Sequence, residues 1–204
     1  MRVPLNTVIT RVTDLRGDST RVVHPLFQED DDGSIPISPL RLEFGTISVP
    51  LAIKLNELWH SRLPDVVRGN IDRNRHKVCY GALYKNLWYA SAIWSSPVAG
   101  DALTKGEFWL ELRRYAIAND SPKNTATRML SYMVRDIRKQ YPEITHLISY
   151  QDTSVHNGTI YKAANWTAEH EVTDTNWGLR RSEHGRKRNK VVAPGKKIRW
   201  GYDL

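Results

Sequence analysis

The sequence predicts an α/β protein: a mixed sheet with an antiparallel hairpin ahead of a parallel strand–helix–strand core. Three observations carry this. Two aromatic-rich apolar runs, Val78 to Tyr84 and Leu87 to Trp94, are joined by only Lys85-Asn86, which is hairpin spacing. A strand-like run from Phe108 to Ala118 is followed by a helical pattern with Met129, Leu130, Met133, Val134 and Ile137 on one face. A short buried strand, Thr145 to Tyr150, follows Pro142, and a strand–helix–strand unit of this kind is a right-handed parallel crossover.

The elements read in order as follows. Residues 1–47 hold short β-like pieces (Val8 to Val12, Arg21 to Val23), the acidic turn Asp30-Asp31-Asp32-Gly33, and Pro36 and Pro39. They read as an N-terminal extension, with residues 48–204 as the main domain. From Pro50 the period is helical: Leu51, Leu55, Leu58 and Trp59 share a face, Pro50 suits a first turn, and the helix should end before Pro64. After the hairpin comes a loop with Pro97 and Gly100, then the long strand. Ser121 reads as the next N-cap, with Pro122 at the first helical position and the helix running to about Gln140. Asn157 to Trp166 is read as a second short helix and Lys197 to Tyr202 as the last strand.

The chain has 204 residues, 40% hydrophobic and 25% charged, ordinary for a folded domain with its own core. No apolar run nears the ~18 residues of a membrane span, and the start lacks the apolar stretch of a secretory signal. A cytoplasmic protein with no membrane partner is the expectation. Cys79 is the only cysteine, which rules out internal disulfides and cysteine-based zinc sites; inside an apolar strand it reads as packing. Most of the seven tryptophans are expected to fill the core.

Charge is placed unevenly. Nine basic residues and one acid lie between Arg180 and Arg199, so this segment carries the whole net charge of +8; elsewhere 21 basic and 21 acidic residues cancel. A neutral body with a basic segment at 180–199 points to a polyanion partner; a solvated tail is the plainer alternative.

Three places can carry chemistry. The first is the strand-to-helix junction Ser121 to Thr127, where backbone N–H groups and the helix dipole favour phosphate, with Lys123 and Arg128 adding charge; an ordinary capped helix is the alternative. The second is the stretch Ser149 to Tyr161, at the carboxyl end of a parallel strand, where open α/β sheets place ligands. There Asp152 and His156 can act as base and acid or as metal ligands, and Tyr161 can donate a proton. Taken singly, each has a structural alternative: a turn cap, a surface histidine, a packed tyrosine. The third is His60-Ser61-Arg62 at a helix end, where histidine and arginine also suit the dipole.

The segment from Leu110 to Leu130 resembles the coenzyme-A-binding heart of the GNAT acyltransferase superfamily, although of its Gln/Arg-x-x-Gly-x-Gly/Ala loop only the final small residue, Ala126, is matched. The nearer resemblance, over about Leu55 to Trp166, is to the Mom-like proteins of phages and prophages. It rests on Trp59-His60-Ser61-Arg62-Leu63-Pro64, Glu111-Leu112-Arg113-Arg114-Tyr115-Ala116-Ile117, Pro122-Lys123-Asn124-Thr125-Ala126, Ser149-Tyr150-Gln151-Asp152 and His156-Asn157-Gly158-Thr159-Ile160-Tyr161-Lys162-Ala163. The branch's His-Tyr pair stands here as His60-Ser61.

The resemblance implies a GNAT-like fold and modification of adenine N6 in DNA, with acetyl-coenzyme A as carbon source and a carbamoylmethyl product that shields phage or prophage DNA from restriction. It implies catalytic roles for Asp152, Tyr161, His60, His156 and Tyr150. Cofactor contacts would come from Arg114, Lys123, Asn124, Thr125, Ala126 and Thr127. A redox metal such as iron would have His60, Asp152 and His156 as ligands. Adenine in double-stranded DNA would have to be flipped out to react, with Arg62, Arg180, Arg181, Arg186, Lys187 and Arg188, helped by Arg68, Arg73 and Arg75, on the phosphates. An N-acetyltransferase acting on a protein or small amine is the second reading, and a non-catalytic nucleic-acid-binding module the third. The oligomeric state is left open, a homodimer being one option.

Overall fold

The computed structural model describes residues 36–60, 66, 68–97, 108–174 and 195–204. In chain order the elements are β1 (Glu43–Thr46), α1 (Val49–Trp59), α2 (Arg68–Asp72), β2 (Lys77–Tyr84), β3 (Leu87–Ser95), β4 (Trp109–Ile117), α3 (Thr125–Gln140), β5 (His146–Asp152), α4 (Thr159–Ala163), β6 (Thr167–Asp174) and β7 (Gly195–Asp203). The strands form one sheet in the order β1-β2-β3-β4-β5-β7-β6. Among the described residues only β4 and β5 pair in parallel. The expected mixed α/β architecture is therefore observed.

The β2–β3 hairpin turns on Lys85 (φ 45°) and Asn86 (φ 63°). Two consecutive left-handed residues make the type I′ turn that matches strand twist. α1 starts as read: Ser48 Oγ accepts from Leu51 N at 3.4 Å, and Pro50 lies in the first turn. It covers one face of the sheet with Ala52 and Ile53 against Cys79 and Ile93. Asn56 Nδ2 fixes its height by donating to Ala52 O at 2.8 Å and Ser91 Oγ at 3.0 Å. Burial pushes the Cys79 thiol up to about 12, so it stays protonated and inert.

α3 covers the other face. Met129, Leu130, Met133, Val134 and Ile137 are buried against Tyr80, Trp94, Leu110 and Leu147, as their spacing predicts. Trp88, Trp94, Trp166 and Trp200 are buried. Each such side chain contributes about 1.5–3 kcal/mol or more of hydrophobic stabilisation.

Several boundaries differ from the sequence reading. α3 begins at Thr125, not after Ser121; its N-cap, Asn124, is left-handed at φ 68° and makes no side-chain cap bond. Ser121 instead donates to Tyr89 O at 2.9 Å, pinning the loop to β3. The second short helix is trimmed to Thr159–Ala163. The strands β1 and β6 and the short helix α2 were not expected. The near end of the N-terminal stretch is built onto the sheet, since β1 pairs with β2 and Leu42 is buried. The pieces Val8 to Val12 and Arg21 to Val23 lie outside the described residues.

Candidate functional site

The site starts from a fault in β4. Ile93 pairs with Arg114 and Trp94 with Leu112, so Arg113 is one residue too many. Such a bulge reverses which side chains face which way. Before it, Leu110 and Leu112 face α3. After it, Tyr115 does, and its hydroxyl donates to Ala126 O in the first turn of α3 at 2.6 Å. Arg114 is thereby turned to the α1 face. Its Nη1 donates to Arg113 O at 2.7 Å, which takes up the carbonyl of the bulged residue.

At the same level β4 and β5 part. They pair from Trp109↔His146 to Leu112↔Ser149, yet β4 runs on to Ile117 and β5 to Asp152. Beyond Leu112↔Ser149 the two strands no longer pair with each other.

The α3 face holds the start of α3. Arg128 N makes the first helical bond, to Asn124 O at 3.0 Å, and Thr125 N turns back to Pro122 O at 3.2 Å. The N–H groups of Ala126 and Thr127 have no acceptor within the helix, and they stand where the dipole favours an anion. Lys123 and Asn124 are exposed beside them, while Thr125 is buried with its hydroxyl on Pro122 O. Arg128 leans away, its guanidinium 6.0 Å from the Phe44 ring. Farther along this face, Tyr161 Oη lies 2.8 Å from Ser149 Oγ, at the last β4–β5 pair. Its ring stacks on Trp200 at 5.3 Å and 15°. Burial raises the Tyr161 hydroxyl above its usual pKa, offset in part by Ser149, so at neutral pH it is a proton donor.

The α1 face presents different chemistry. His60, the C-cap of α1, has a buried Nδ1 with no hydrogen-bond partner among the described residues. Burial first, then the charges of Arg114 and His156, lower its pKa from 6.5. His60 is therefore neutral at pH 7, with a lone pair or proton unclaimed. The structure thus brings His60, His156 and Arg114 into one neighbourhood, and it places Arg114 with His60 rather than with the first turn of α3. Tyr150 is exposed on this face and hydrogen-bonded to Arg199.

The loop after β5 is held firmly. Asp152 Oδ1 accepts from Ser154 N at 2.9 Å and Ser154 Oγ at 2.6 Å, a turn-capping arrangement. Gln151, buried, donates from Nε2 to His156 O and accepts from Trp200 Nε1 at 2.7 Å. Gly158, at φ 69°, packs against both Gln151 and Trp200. Ser149, Gln151 and Gly158 lie in the stretch read as a site but were given no role of their own from the sequence, although the polar Ser149 and Gln151 at inward positions of β5, alternating after Leu147, are a readable signal.

The iron-ligand reading finds no support in this geometry. Asp152 Oδ1 is engaged by Ser154, and among the described residues no three His, Cys, Asp or Glu side chains are grouped to hold a metal ion. His60, Asp152 and His156 do not fit an iron centre as arranged. Arg62, Arg180, Arg181, Arg186, Lys187 and Arg188 lie outside the described residues. Arg68, Arg73 and Arg75 are exposed in and just after α2, Arg68 paired with Asp72 at 3.0 Å. No helix among the described residues is long and apolar enough to cross a membrane.

Solved structures share this fold at low identity. The ribosomal-protein-S18-alanine N-acetyltransferase from Escherichia coli is similar at TM-score 0.54 and 10% identity, over 80% of this chain and 94% of that one. A Bacillus subtilis acetyltransferase in complex with CoA is similar at TM-score 0.55 and 15% identity, over 80% and 98%. A GNAT family acetyltransferase from Elizabethkingia anophelis with acetyl-CoA bound is similar at TM-score 0.51 and 10% identity, over 80% and 99%. The fold is that of the GNAT acetyltransferases. No curated protein matches the sequence. The family model of the Mom proteins matches residues 94–200, a span from the end of β3 to the middle of β7 that contains the bulge, the end of the β4–β5 pairing, the first turn of α3 and the Asp152–Tyr161 loop; the chain belongs to the Mom protein family.

Proposed function

We propose that this chain is an acyl-coenzyme-A-dependent transferase that modifies adenine N6 in DNA, with a carbamoylmethyl-type product that protects phage or prophage DNA from restriction. The observation that carries the reading is the level at which β4 and β5 part. There the β4–β5 pairing ends, with a phosphate-suited helix start on the α3 face and His60, His156 and Tyr150 on the α1 face, in a chain of the Mom family. Two substrates can approach from opposite faces and meet where the strands part, which supplies proximity and orientation. The Mom family match weighs against the protein or small-amine acetyltransferase reading.

The residues have distinct tasks. The N–H groups of Ala126 and Thr127, with Lys123 beside them, bind the pyrophosphate of the acyl donor. Adenine N6 is already neutral at pH 7; joining it to the acetyl carbonyl carbon breaks the C–S bond and releases one N6 proton, whereas joining it to the methyl carbon to give a carbamoylmethyl group also takes a two-electron oxidant and an ammonia-level nitrogen donor from outside this chain. Neutral His60, with its unclaimed Nδ1, accepts that proton on the α1 face, and Asp152 sets the charge of the same rim. Coenzyme A departs as a thiolate, and Tyr161 protonates it. The adenine is flipped from its stack, and the basic segment 180–199 holds the phosphates.

The cofactor half is tested by calorimetry. Asn124→Pro is unsuitable, because proline cannot adopt φ 68°. Ala126→Pro keeps helical geometry in the first turn and removes one N–H. Loss of one hydrogen bond to a charged group is worth about 1.5–3 kcal/mol, so acetyl-coenzyme A should bind roughly 10- to 100-fold more weakly. Equal affinity with the fold intact removes the site.

A further inference from the structure

We infer that the cleft between β1 and the C-terminal half of α3 is a second ligand site, one that takes a primary alkylammonium ion. The cleft has a volume of about 560 Å³ and is lined in part by Thr46, Tyr132, Asp136, Gln140 and Tyr141. That volume is in the range of small-molecule pockets. Its chemistry is acidic and aromatic within a chain of net charge +8.

Asp136 is the centre of the argument. Its Oδ2 accepts a hydrogen bond at 2.8 Å from Tyr80 Oη, and Tyr80 is fully buried in the core. The carboxylate is thus held in place from behind. Four other carboxylates of the described residues pair with Arg or Lys: Asp72 with Arg68, Glu111 with Arg113, Glu169 with Arg199 and Glu171 with Lys196. Asp136 makes no ion pair among the described residues, and it lines the cleft. A half-buried carboxylate facing a cavity attracts a positive charge more strongly than one in water.

The walls select the kind of cation. Tyr132 and Tyr141 line the same cleft as Asp136, so a cation on the carboxylate has two tyrosine rings in the same cavity, where cation–π attraction adds. Tyr132 is itself buttressed by Phe44 at 5.6 Å and Tyr80 at 6.2 Å. Thr46 and Gln140 supply oxygen acceptors. A single carboxylate matches a single charge, and several acceptors around it match an N–H-bearing ammonium on an aliphatic stem. The cleft is about 16 Å along α3 from Thr125, at 1.5 Å per residue, so the inference does not rest on the acyl-transfer reading.

The test is a titration of the full chain with n-butylammonium chloride, with n-butanol as the neutral control at matched ionic strength, followed by NMR of the tyrosine rings. Saturable shifts at Tyr132 and Tyr141 with the amine, and none with the alcohol, are expected. Asp136→Asn keeps an acceptor for Tyr80 but loses the charge, and should weaken binding at least about tenfold. The absence of a saturable shift in the wild type overturns the inference, as does an alcohol response equal to that of the amine. Undiminished affinity in Asp136→Asn overturns it too. If that variant fails to fold, the contrast between amine and alcohol in the wild type decides.

Discussion

Gly158→Ala should damage this protein more than any surface change, and the cost can be worked from the structure. Gly158 is the N-cap of α4 with φ 69° and ψ 14°. A residue with a Cβ pays roughly 1–2 kcal/mol in this left-handed region. The new Cβ would also stand 2.5 Å from Gln151 Oε1 and 2.7 Å from Trp200 Cζ2. Neither neighbour can swing aside freely, because Trp200 Nε1 is bonded to that same Oε1 at 2.7 Å and Gln151 Nε2 is bonded to His156 O. Overpacking of this kind adds about 1–3 kcal/mol. The total is about 2–5 kcal/mol, and at ~2–4 °C per kcal/mol for a chain of this size Tm should fall by roughly 4–20 °C. Gly69→Ala is the control, since nothing lies within 4 Å of the added Cβ. Denaturant unfolding measures both. A Gly158→Ala stability within about 0.5 kcal/mol of wild type, the range of ordinary surface substitutions, refutes the reasoning and with it the rigid loop that presents His156.

Other outcomes follow from the same site. Tyr161→Phe should lower turnover by about 10²–10⁴-fold as a lost proton donor. Because Ser149 Oγ loses its partner, it should also cost about 1–3 kcal/mol by denaturant titration; turnover within threefold of wild type returns Tyr161 to a packing role. Asp152→Asn keeps an Oδ1 acceptor for Ser154, so Tm should hold while turnover falls; unchanged turnover makes Asp152 a turn cap alone. His60 acts in its neutral form and its pKa is lowered, so the acid limb of kcat/KM should have its midpoint below pH 6.5. Arg114→Leu removes one of the charges that lowers it and should move that limb to higher pH; a stationary limb excludes His60 as the base.

The fold was legible where burial imposes a period. The hairpin announced itself through Lys85-Asn86 between two apolar runs, and α3 through its five buried apolar residues. Its start was not legible, because Ser121-Pro122 imitates a cap while the chain spends three more residues reaching left-handed Asn124. β6 was missed because Thr167 to Glu171 are all exposed and it exists by pairing with β7. β1 has no fully buried residue to mark it. The bulge was readable in principle: the apolar positions Leu110 and Leu112 resume at Tyr115 and Ile117, a slip of one in a period of two. The candidates His60, Asp152, His156 and Tyr161 came from a helix end and from the carboxyl end of a strand as well as from motif resemblance, and the structure brings His60, His156 and Arg114 into one neighbourhood. What sequence did not reveal is that Arg114 faces His60, because that depends on a parity change one residue earlier.

The most direct test is the nucleoside composition of DNA from cells that express the chain, grown with isotopically labelled acetate. The account predicts a deoxyadenosine of raised mass that carries the acetyl carbons, present with the wild type and absent with Tyr161→Phe. Unmodified deoxyadenosine alongside a newly acetylated protein or small amine would contradict it.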